Sequence, residues 1–251
     1  LEDAVKMNPT ADESAWQALL LAYEQKEDTI ALANAKARYQ QHFKTATKPT
    51  EGAIDVSVCM IVKDEEKVLP ALLASIVGLW DELIIVDTGS SDKTVSIIQE
   101  FGGTVRTLAW EGDFSKARNE SMREAKGRWI IWFDADDIML PDDLHRLKQL
   151  SQAPADKAYG LLVKNSTDRG KTGSVFNQIR MFPNNPSITF VGKVHEQVLP
   201  SLKNLNIPVE FTGVKVIHTG YVNDAVVSEK QQRNLKICLL YTSDAADDLL
   251  C

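Results

Sequence analysis

The sequence predicts an α/β fold: a mostly parallel sheet with helices on both faces, preceded by a short N-terminal helical hairpin. Two patterns carry this prediction. From Val56 onward, short β-rich apolar runs alternate with amphipathic stretches, as in a parallel sheet with crossover helices. In residues 1–46, apolar residues instead recur at helical spacing. The 251 residues, 44% of them hydrophobic and 25% charged, allow one large globular domain or two small ones.

Residues 1–46 are the predicted helical hairpin. Trp16, Leu19 and Tyr23 stand at the spacing of the first helix of a tetratricopeptide repeat, but the second helix fits the repeat consensus only loosely. A single tetratricopeptide-like repeat and a plain helical hairpin therefore both stay open. The polar stretch KTATKPTEGA that follows is interpreted as a linker.

Residues 55–237 form the second predicted domain. Units of strand, helix and strand run as far as WIIWF at 129–133, and beyond Leu150 the alternation loosens into strands and loops that we expect to extend the same sheet. Ligands of open sheets of this kind bind beyond the carboxyl ends of the strands. Charged side chains stand at three of these predicted ends: Lys63, Asp64 and Glu65, then Asp87 to Asp92, then Asp134 to Asp137.

Residues 238–251 are interpreted as a non-native, adapter-derived tail. The stretch from Cys238 resembles the translation of an adapter sequence used in library preparation, and it interrupts a helical pattern in EKQQRNLKI. Without the three aspartates of this tail, the formal net charge changes from −7 to −4. A mildly acidic chain is not expected to bind nucleic acid, since proteins that do so normally carry a basic stripe.

Cysteine content and hydropathy exclude several classes of protein. Cys59 is the one cysteine outside the tail, so neither a disulfide framework nor a zinc knuckle is expected. The sequence has no span of about twenty apolar residues and no leader typical of export. We therefore expect a cytoplasmic protein without a transmembrane segment, for which peripheral contact with a membrane stays open.

Four segments of the second domain carry most of its polar motifs: VSVCMIVKDEE, ELIIVDTGSSDKT, DFSKARNESMREAKGRWIIWFDADD and RMFPNNPSITFVGKVHEQV. In order and spacing they resemble the family 2 glycosyltransferases of GT-A (Rossmann-like) fold, over about residues 55–235. The nearest likeness is to members linked to tetratricopeptide repeats and to lipopolysaccharide-core glucosyltransferases. The resemblance implies an inverting hexosyltransferase with a nucleotide-sugar donor, UDP-glucose by default, and a divalent metal ion, Mn or Mg.

The acidic motif DADD, directly after the predicted strand at 129–133, is the strongest chemical signal. Neighbouring carboxylates repel one another, so a counter-charge is expected beside them. A hard divalent cation with oxygen ligands can bridge an anionic donor diphosphate to the protein. The resemblance implies that Asp134 lies near the ribose and that Asp136 holds the metal, and Asp137 could share the cation. The alternative is an acidic loop that caps the following helix.

Three residues at the first two predicted strand ends are assigned to the donor. The resemblance implies that Asp87 accepts a hydrogen bond from the nucleobase, uracil in most relatives. Asp64 and Glu65, which follow the first strand, are assigned to the same side of the site. The alternative is a simple turn in which Ser91 or Asp92 caps the next helix, and both interpretations can hold together.

Arg118 and Asn119 stand where the family places a residue near the donor phosphates or ribose. A guanidinium group suits the geometry of a phosphate, which supports this role for Arg118. The alternative is that Arg118 forms an ion pair with the nearby Glu111 or Asp113, as exposed arginines often do.

The segment GKVHEQV is expected to supply the catalytic base. Transfer with inversion requires a group that takes the proton of the acceptor as the acceptor attacks the anomeric carbon. Glu196 is the candidate, and His195 is the alternative. By resemblance, His218 is a further ligand of the metal or diphosphate, since imidazole can bind a manganese-like ion.

Two other functions stay open. One is a repeat-bearing interaction module whose transferase domain is inactive. The other is a phosphatase of the DxD type, in which Asp134 would be a covalent nucleophile, although that family places its motif at the first strand. The expected partners are a nucleotide-sugar donor and an acceptor that is a saccharide, a lipid-linked saccharide or a peptide.

Overall fold

The computed structural model describes residues 54–165 and 173–219. The predicted hairpin, linker and tail lie outside these residues, so the domain boundaries remain predictions. No helix within the described ranges is long and apolar enough to cross a membrane. The described elements, in chain order, are β1 (Val56–Val62), α1 (Leu69–Ser75), β2 (Glu82–Asp87), α2 (Thr94–Glu100), β3 (Thr104–Thr107), α3 (Phe114–Met122), β4 (Trp129–Trp132), β5 (Asp137–Ile138), α4 (Pro141–Ser151), β6 (Ala158–Asn165), β7 (Val175–Pro183), α5 (Leu199–Asn204) and β8 (Val209–His218).

The described strands form one sheet in the order β3-β2-β1-β4-β7-β6-β8-β5. Strands β3, β2, β1 and β4 are mutually parallel and are called the parallel half. Strands β7, β6, β8 and β5 are called the mixed half, because β7 runs antiparallel to both its neighbours and β5 runs antiparallel to β8. Both the predicted parallel sheet and its predicted mixed extension are confirmed.

Apolar side chains cover both faces of the parallel half. Val58 and Met60 of β1 lie in one hydrophobic core with Leu72 of α1. Cys59 lies in a second core with Leu202 of α5. Because β1, β2 and β4 are buried on both faces, their sequences are nearly continuous apolar runs. The prediction of helices on both faces of the sheet is therefore confirmed.

The register of the parallel strands brings their carboxyl ends together. Val62 at the end of β1 pairs with Asp87 at the end of β2. Cys59 pairs with Trp132 at the end of β4, so the residues that follow β4 lie beside the last residues of β1. The acidic motif is thus delivered to the edge of the sheet where a ligand is expected.

Residues 184–198 form the β7–α5 loop, which joins β7 to α5. Within it, Val191 and Gln197 form an isolated bridge, and the chain reverses between them. Gly192 has φ 96°, and His195 has φ 60°, which is uncommon for a residue with a side chain. The carbonyl of Lys193 accepts the N–H of Phe114, which ties the loop to the start of α3.

Candidate active site

A cavity of about 820 Å³ lies where the parallel half meets the mixed half. It opens at the carboxyl ends of β1 and β4, and its other wall is formed by β7, β8 and the β7–α5 loop. The residues assigned from the sequence that line this cavity are Glu65, Arg118, Asp134, Asp136, His195, Glu196 and His218. The two halves of the sheet therefore bring most of the predicted site residues to one place.

A tight turn after β4 directs the acidic side chains to different places. The N–H of Asp137 donates to the carbonyl of Asp134 at 3.0 Å, and the Asp137 carboxylate accepts the N–H of Asp134 at 2.8 Å. Asp134 and Asp136 line the cavity, whereas Asp137 is fully buried and begins β5. The turn thus separates two acids that face the cavity from one that faces inward.

Two arginines hold the Asp134 carboxylate. Arg118 Nη2 lies 2.6 Å from Oδ1, and Arg180 Nη2 lies 3.0 Å from Oδ2. Both guanidinium groups also lie over the Trp132 ring, at 3.9 and 3.8 Å from its centroid. Burial alone would raise the pKa of Asp134, but the two guanidinium groups outweigh it and hold that pKa well below its usual range. The counter-charge expected beside the acidic motif is therefore supplied by arginine.

Arg118 links the acidic motif to the predicted base. Its Nε lies 2.5 Å from Glu196 Oε1, and its side chain is 6% exposed. The alternative partners do not bind it: the Glu111 carboxylate pairs with Lys116, and the Asp113 carboxylate caps α3 through the Lys116 N–H. Arg118 Nη1 is buried and has no hydrogen-bond partner among the residues that the structure describes. One donor group of this cavity-lining arginine therefore remains unsatisfied.

His218 lies between two carboxylates at the end of β8. Its Nδ1 is 2.9 Å from Asp137 Oδ1 and 3.3 Å from Asp136 Oδ1. Burial lowers the pKa of His218, but the hydrogen bond to Asp137 and the neighbouring carboxylates outweigh it, and the net direction is upward. Ligand atoms of Asp134, Asp137 and His218 lie within 4.8 Å of one another, a spacing that could hold a metal ion.

The sequence model described as "Glycosyl transferase family 2" matches residues 57–217, well over half of the chain. The chain belongs to glycosyl transferase family 2. A TPR repeat-containing protein of Synechococcus elongatus is 38% identical over 195 residues, which cover 73% of this chain and 48% of that protein. Glycosyltransferase SunS of Bacillus subtilis is 27% identical over 223 residues, which cover 87% of this chain and 50% of SunS.

The chain of this family 2 protein spans about half the length of the curated relatives that it matches. Among solved structures, its fold is similar to that of glucosyl-3-phosphoglycerate synthase from Mycobacterium tuberculosis in complex with Mn2+, UDP and glucosyl-3-phosphoglycerate. The TM-score is 0.52 at 16% identity, covering 76% of this chain and 79% of the synthase. The fold is therefore GT-A, as the resemblance implied.

Within this family 2 domain, Asp137 lies behind the cavity wall rather than on it. Its Oδ2 is 3.0 Å from Arg180 Nη1, and its Oδ1 is 2.9 Å from His218 Nδ1. Burial raises the pKa of Asp137, although Arg180 and His218 oppose that effect. Both its oxygens are engaged by protein groups in this structure, and its role as a metal ligand remains a prediction.

Asn119 binds the backbone of the β7–α5 loop, and its role near the donor remains a prediction. Its Nδ2 donates to the carbonyl of Phe190 at 3.0 Å, and its Oδ1 accepts the Phe190 N–H at 2.8 Å. Because both ends of the amide bind the backbone of the β7–α5 loop, the side chain fixes that loop to α3. It does not line the cavity.

The strand-end residues Asp64 and Asp87 bind their own turns. The Asp87 carboxylate accepts the N–H groups of Gly89 and Ser90, and Asp64 Oδ1 accepts the N–H of Ser91 at 2.7 Å. Neither residue lines the cavity, so their donor-binding roles remain predictions. The alternative interpretation as a capped turn agrees with Asp92. Its Oδ1 accepts the N–H at the first residue of α2.

Arg180 and Trp132 were missed by the sequence analysis. Arg180 is 1% exposed and donates to both Asp134 and Asp137. The available signal was its place in QIRMF, an arginine inside an apolar strand pattern. Arginine is almost never fully buried unless it is paired, so such a position indicates a buried carboxylate partner.

Proposed function

We propose that the chain is a metal-dependent inverting glycosyltransferase that moves a sugar from a nucleotide-diphosphate donor, a UDP-sugar, to an acceptor hydroxyl or thiol. One observation carries the proposal. Asp136 and His218 lie side by side on the wall of the cavity, with Oδ1 and Nδ1 3.3 Å apart, and Glu196 lines the same cavity. A candidate metal site and a candidate base therefore share one space of about 820 Å³.

The residues present fit a divalent cation. Asp136 offers a carboxylate and His218 an imidazole, a pair that suits Mn2+ and is less suited to Mg2+, which prefers oxygen. Asp134 and Asp137 are weaker candidates, because their oxygens already accept N–H groups from Arg118 and Arg180. When bound, the cation would stabilise the negative charge of the departing diphosphate. The structurally similar synthase was solved with Mn2+ and UDP, which supports a divalent cation and a uridine nucleotide as the bound groups proposed here.

Arg118 is proposed to orient the reacting groups. Its guanidinium group lies between Asp134 and Glu196 and is held over Trp132, so it fixes both carboxylates at the cavity wall. The unsatisfied Nη1 group gives it one further donor. A small shift of Arg118 on donor binding would allow that group to meet a phosphate or ribose oxygen.

Glu196 is proposed as the base. Its carboxylate takes the proton of the acceptor hydroxyl or thiol while the oxygen or sulfur attacks the anomeric carbon. The bond between that carbon and the diphosphate breaks, and the diphosphate leaves with the electron pair. His195 is exposed and lines the same cavity, so it is proposed to contact the acceptor rather than to remove its proton.

On the side of the cavity formed by the mixed half, several of the described lining residues have aromatic or amide side chains, such as Phe176, Asn177 and Phe211. Side chains of this kind can contact a sugar ring or a peptide. The proposed acceptor is therefore a saccharide, the saccharide end of a lipid-linked acceptor or a peptide. A cytoplasmic location, with peripheral contact to a membrane, is part of the proposal.

The phosphatase alternative is not supported by the geometry. A covalent nucleophile needs an accessible carboxylate oxygen, yet each oxygen of Asp134 accepts a guanidinium N–H. The motif also follows the fourth strand of the domain rather than the first.

Donor hydrolysis tests the proposed function. With Mn2+ and a panel of UDP-sugars, the wild-type chain should release UDP, and Asp136→Ala should lower the rate by roughly 100-fold to 1,000-fold, because metal and charge stabilisation are lost. Asp142→Ala removes an exposed carboxylate from α4 and should leave the rate unchanged. If no donor is hydrolysed with either Mn2+ or Mg2+, an inactive interaction module is favoured instead.

The assignment of the base is tested with acceptor-dependent transfer. Glu196→Gln should lower transfer by roughly 100-fold or more while UDP binding persists, because a general base contributes about that much. His195→Asn should cost less than tenfold, as expected for a binding contact. If His195→Asn is the more damaging change, the histidine is the base.

A further inference from the structure

Arg180 is a buried cation directly behind the acidic motif. It lies on β7, its side chain is 1% exposed, and it does not line the cavity. One guanidinium group spans two carboxylates: Nη2 is 3.0 Å from Asp134 Oδ2, and Nη1 is 3.0 Å from Asp137 Oδ2. Its Nε donates to Gln178 at 3.0 Å. All three nitrogens are therefore committed to protein groups.

The carboxylates that Arg180 binds belong to a second set of metal-ligand atoms. Asp134, Asp137 and His218 present ligand atoms within 4.8 Å of one another, so this inner triad could hold a cation by itself. Asp137 is fully buried and absent from the cavity wall, whereas Asp136 lines the cavity. A cation held by the inner triad would be bound in part by a residue that no donor diphosphate can reach.

We propose that Arg180 acts as an internal counter-ion that occupies the inner triad and so directs a divalent cation to Asp136 at the cavity wall. The inference rests on the proposed function for its catalytic meaning. Arg180 is a positioning residue rather than a catalytic one, since it contacts neither the cavity nor a reacting atom. The forked guanidinium group of Arg180 also fixes the Asp137 carboxylate, whose other oxygen lies 2.9 Å from His218 Nδ1.

Charge and geometry have separable consequences at this position. The positive charge of Arg180 opposes entry of a divalent cation into the inner triad, so its removal should make metal binding tighter. The fork fixes two carboxylates at once, and a lysine cannot reproduce that arrangement with its single ammonium group. A purely structural role predicts the opposite sign, because a loosened site binds metal more weakly and turns over more slowly.

The experiment measures Mn2+ binding and donor hydrolysis in the same variants of the 251-residue chain. Free Mn2+ is followed by electron paramagnetic resonance in a titration without nucleotide. Arg180→Met removes the charge at similar length, and Arg180→Lys keeps it. Arg123→Met is the matched control, because that arginine is 60% exposed and pairs only at the surface with Glu120 and Glu124. Near-ultraviolet circular dichroism confirms that each variant is folded.

Arg180→Met should bind Mn2+ roughly tenfold more tightly than the wild type, since the repelling charge is gone. The same variant should hydrolyse the donor at least roughly tenfold more slowly, because the metal is held away from the diphosphate. Arg180→Lys should bind Mn2+ within about twofold of the wild type and still lose roughly tenfold in turnover, because the carboxylates are no longer fixed together. Arg123→Met should change neither quantity.

A double variant shows whether the tighter Mn2+ binding occurs at the inner triad. Asp137→Asn in the Arg180→Met background removes one ligand of the inner triad, so Mn2+ affinity should return to about the wild-type value. Weaker or unchanged Mn2+ binding in folded Arg180→Met overturns the proposal, as does unchanged turnover. If the wild type neither binds Mn2+ nor hydrolyses a donor, the proposed function fails. A new Mn2+ site in Arg180→Met would still support the counter-ion role in that case.

Discussion

The two halves of the sheet contribute to the cavity in different ways. Three strands of the parallel half, β1, β2 and β4, are buried on both faces, and the turn after β4 delivers Asp134 and Asp136. The mixed half contributes Arg180 from β7, which binds Asp134, and His218 from β8, which lies beside Asp136. The β7–α5 loop contributes Glu196, which binds Arg118. The buried strands of the parallel half thus fix the position of the two acids. Individual side chains from the other half determine the chemistry that these acids can perform.

Stability and chemistry depend on different parts of the sheet. A change in the parallel half removes packing that the whole sheet shares, whereas a change on the cavity side of the mixed half alters one contact. The Asp134 carboxylate depends on both halves, because Arg118 of α3 binds one of its oxygens and Arg180 of β7 binds the other. Neither half alone completes the site.

Removal of a core side chain from the parallel half should be the most damaging change. Trp129 is fully buried, donates from Nε1 to the Ser151 carbonyl at 3.0 Å and packs near Tyr159. Trp129→Ala should lower the free energy of unfolding by about 3–5 kcal/mol, measured by urea denaturation. Phe211→Ala in the mixed half is the control, since that side chain is 61% exposed and should cost no more than about 0.5 kcal/mol. Equal losses would remove the distinction between the halves.

The contact between Asn119 and Phe190 joins the two halves and should have an intermediate effect. Asn119→Ala leaves the N–H and the carbonyl of Phe190 without their partner, which should cost about 1–3 kcal/mol of unfolding free energy. Asn204→Ala at the exposed end of α5 should cost less than about 0.5 kcal/mol in the same urea experiment. A loss for Asn119→Ala as small as that of the control would mean that the loop is held by other contacts.

Cys59 in β1 should not react with an alkylating reagent in the native protein. Burial raises the pKa of this thiol in the middle of β1, and Glu82 adds to the increase, so the reactive thiolate is scarce at neutral pH. Iodoacetamide should leave the peptide with Cys59 unmodified in the native protein and modify it fully in urea, as read by mass spectrometry. Rapid labelling of the native protein would show that the parallel half opens more readily than the burial of β1 indicates.

Much of the parallel half followed from the sequence because its strands have a strong local signal. Runs such as SVCMIV and ELIIVD are buried on both faces, and they correspond to β1 and β2 within one or two residues. The strands of the mixed half were anticipated as an extension, but their order in the sheet was not. Pairing of β4 with β7, and of β6 with β8, joins segments far apart in the chain, and no local pattern encodes it.

The candidate site was also predictable from the sequence only in part. Asp134 and Asp136 were identifiable because an apolar run ends in acids, and the structure places both at the cavity. The orientation of Asp137 was not identifiable, because a single backbone turn decides whether a neighbouring carboxylate faces inward. Arg118 was expected to meet either a ligand or a local acid, and its contact with Glu196, which is remote in the sequence, was not expected. Contacts of this kind depend on the tertiary fold.

The position of β7 beside β4 has a consequence for synthesis of the chain on the ribosome. β4 ends at Trp132, but the residues that cover its outer edge, Met181 to Pro183, are translated roughly 3–10 s later at ordinary elongation rates. During that interval one edge of the nascent strand WIIW has no paired neighbour, and unpaired apolar strand edges of this kind promote aggregation with other nascent chains. Slow codons between these two segments would lengthen the exposure, and chaperone capture should be greatest there.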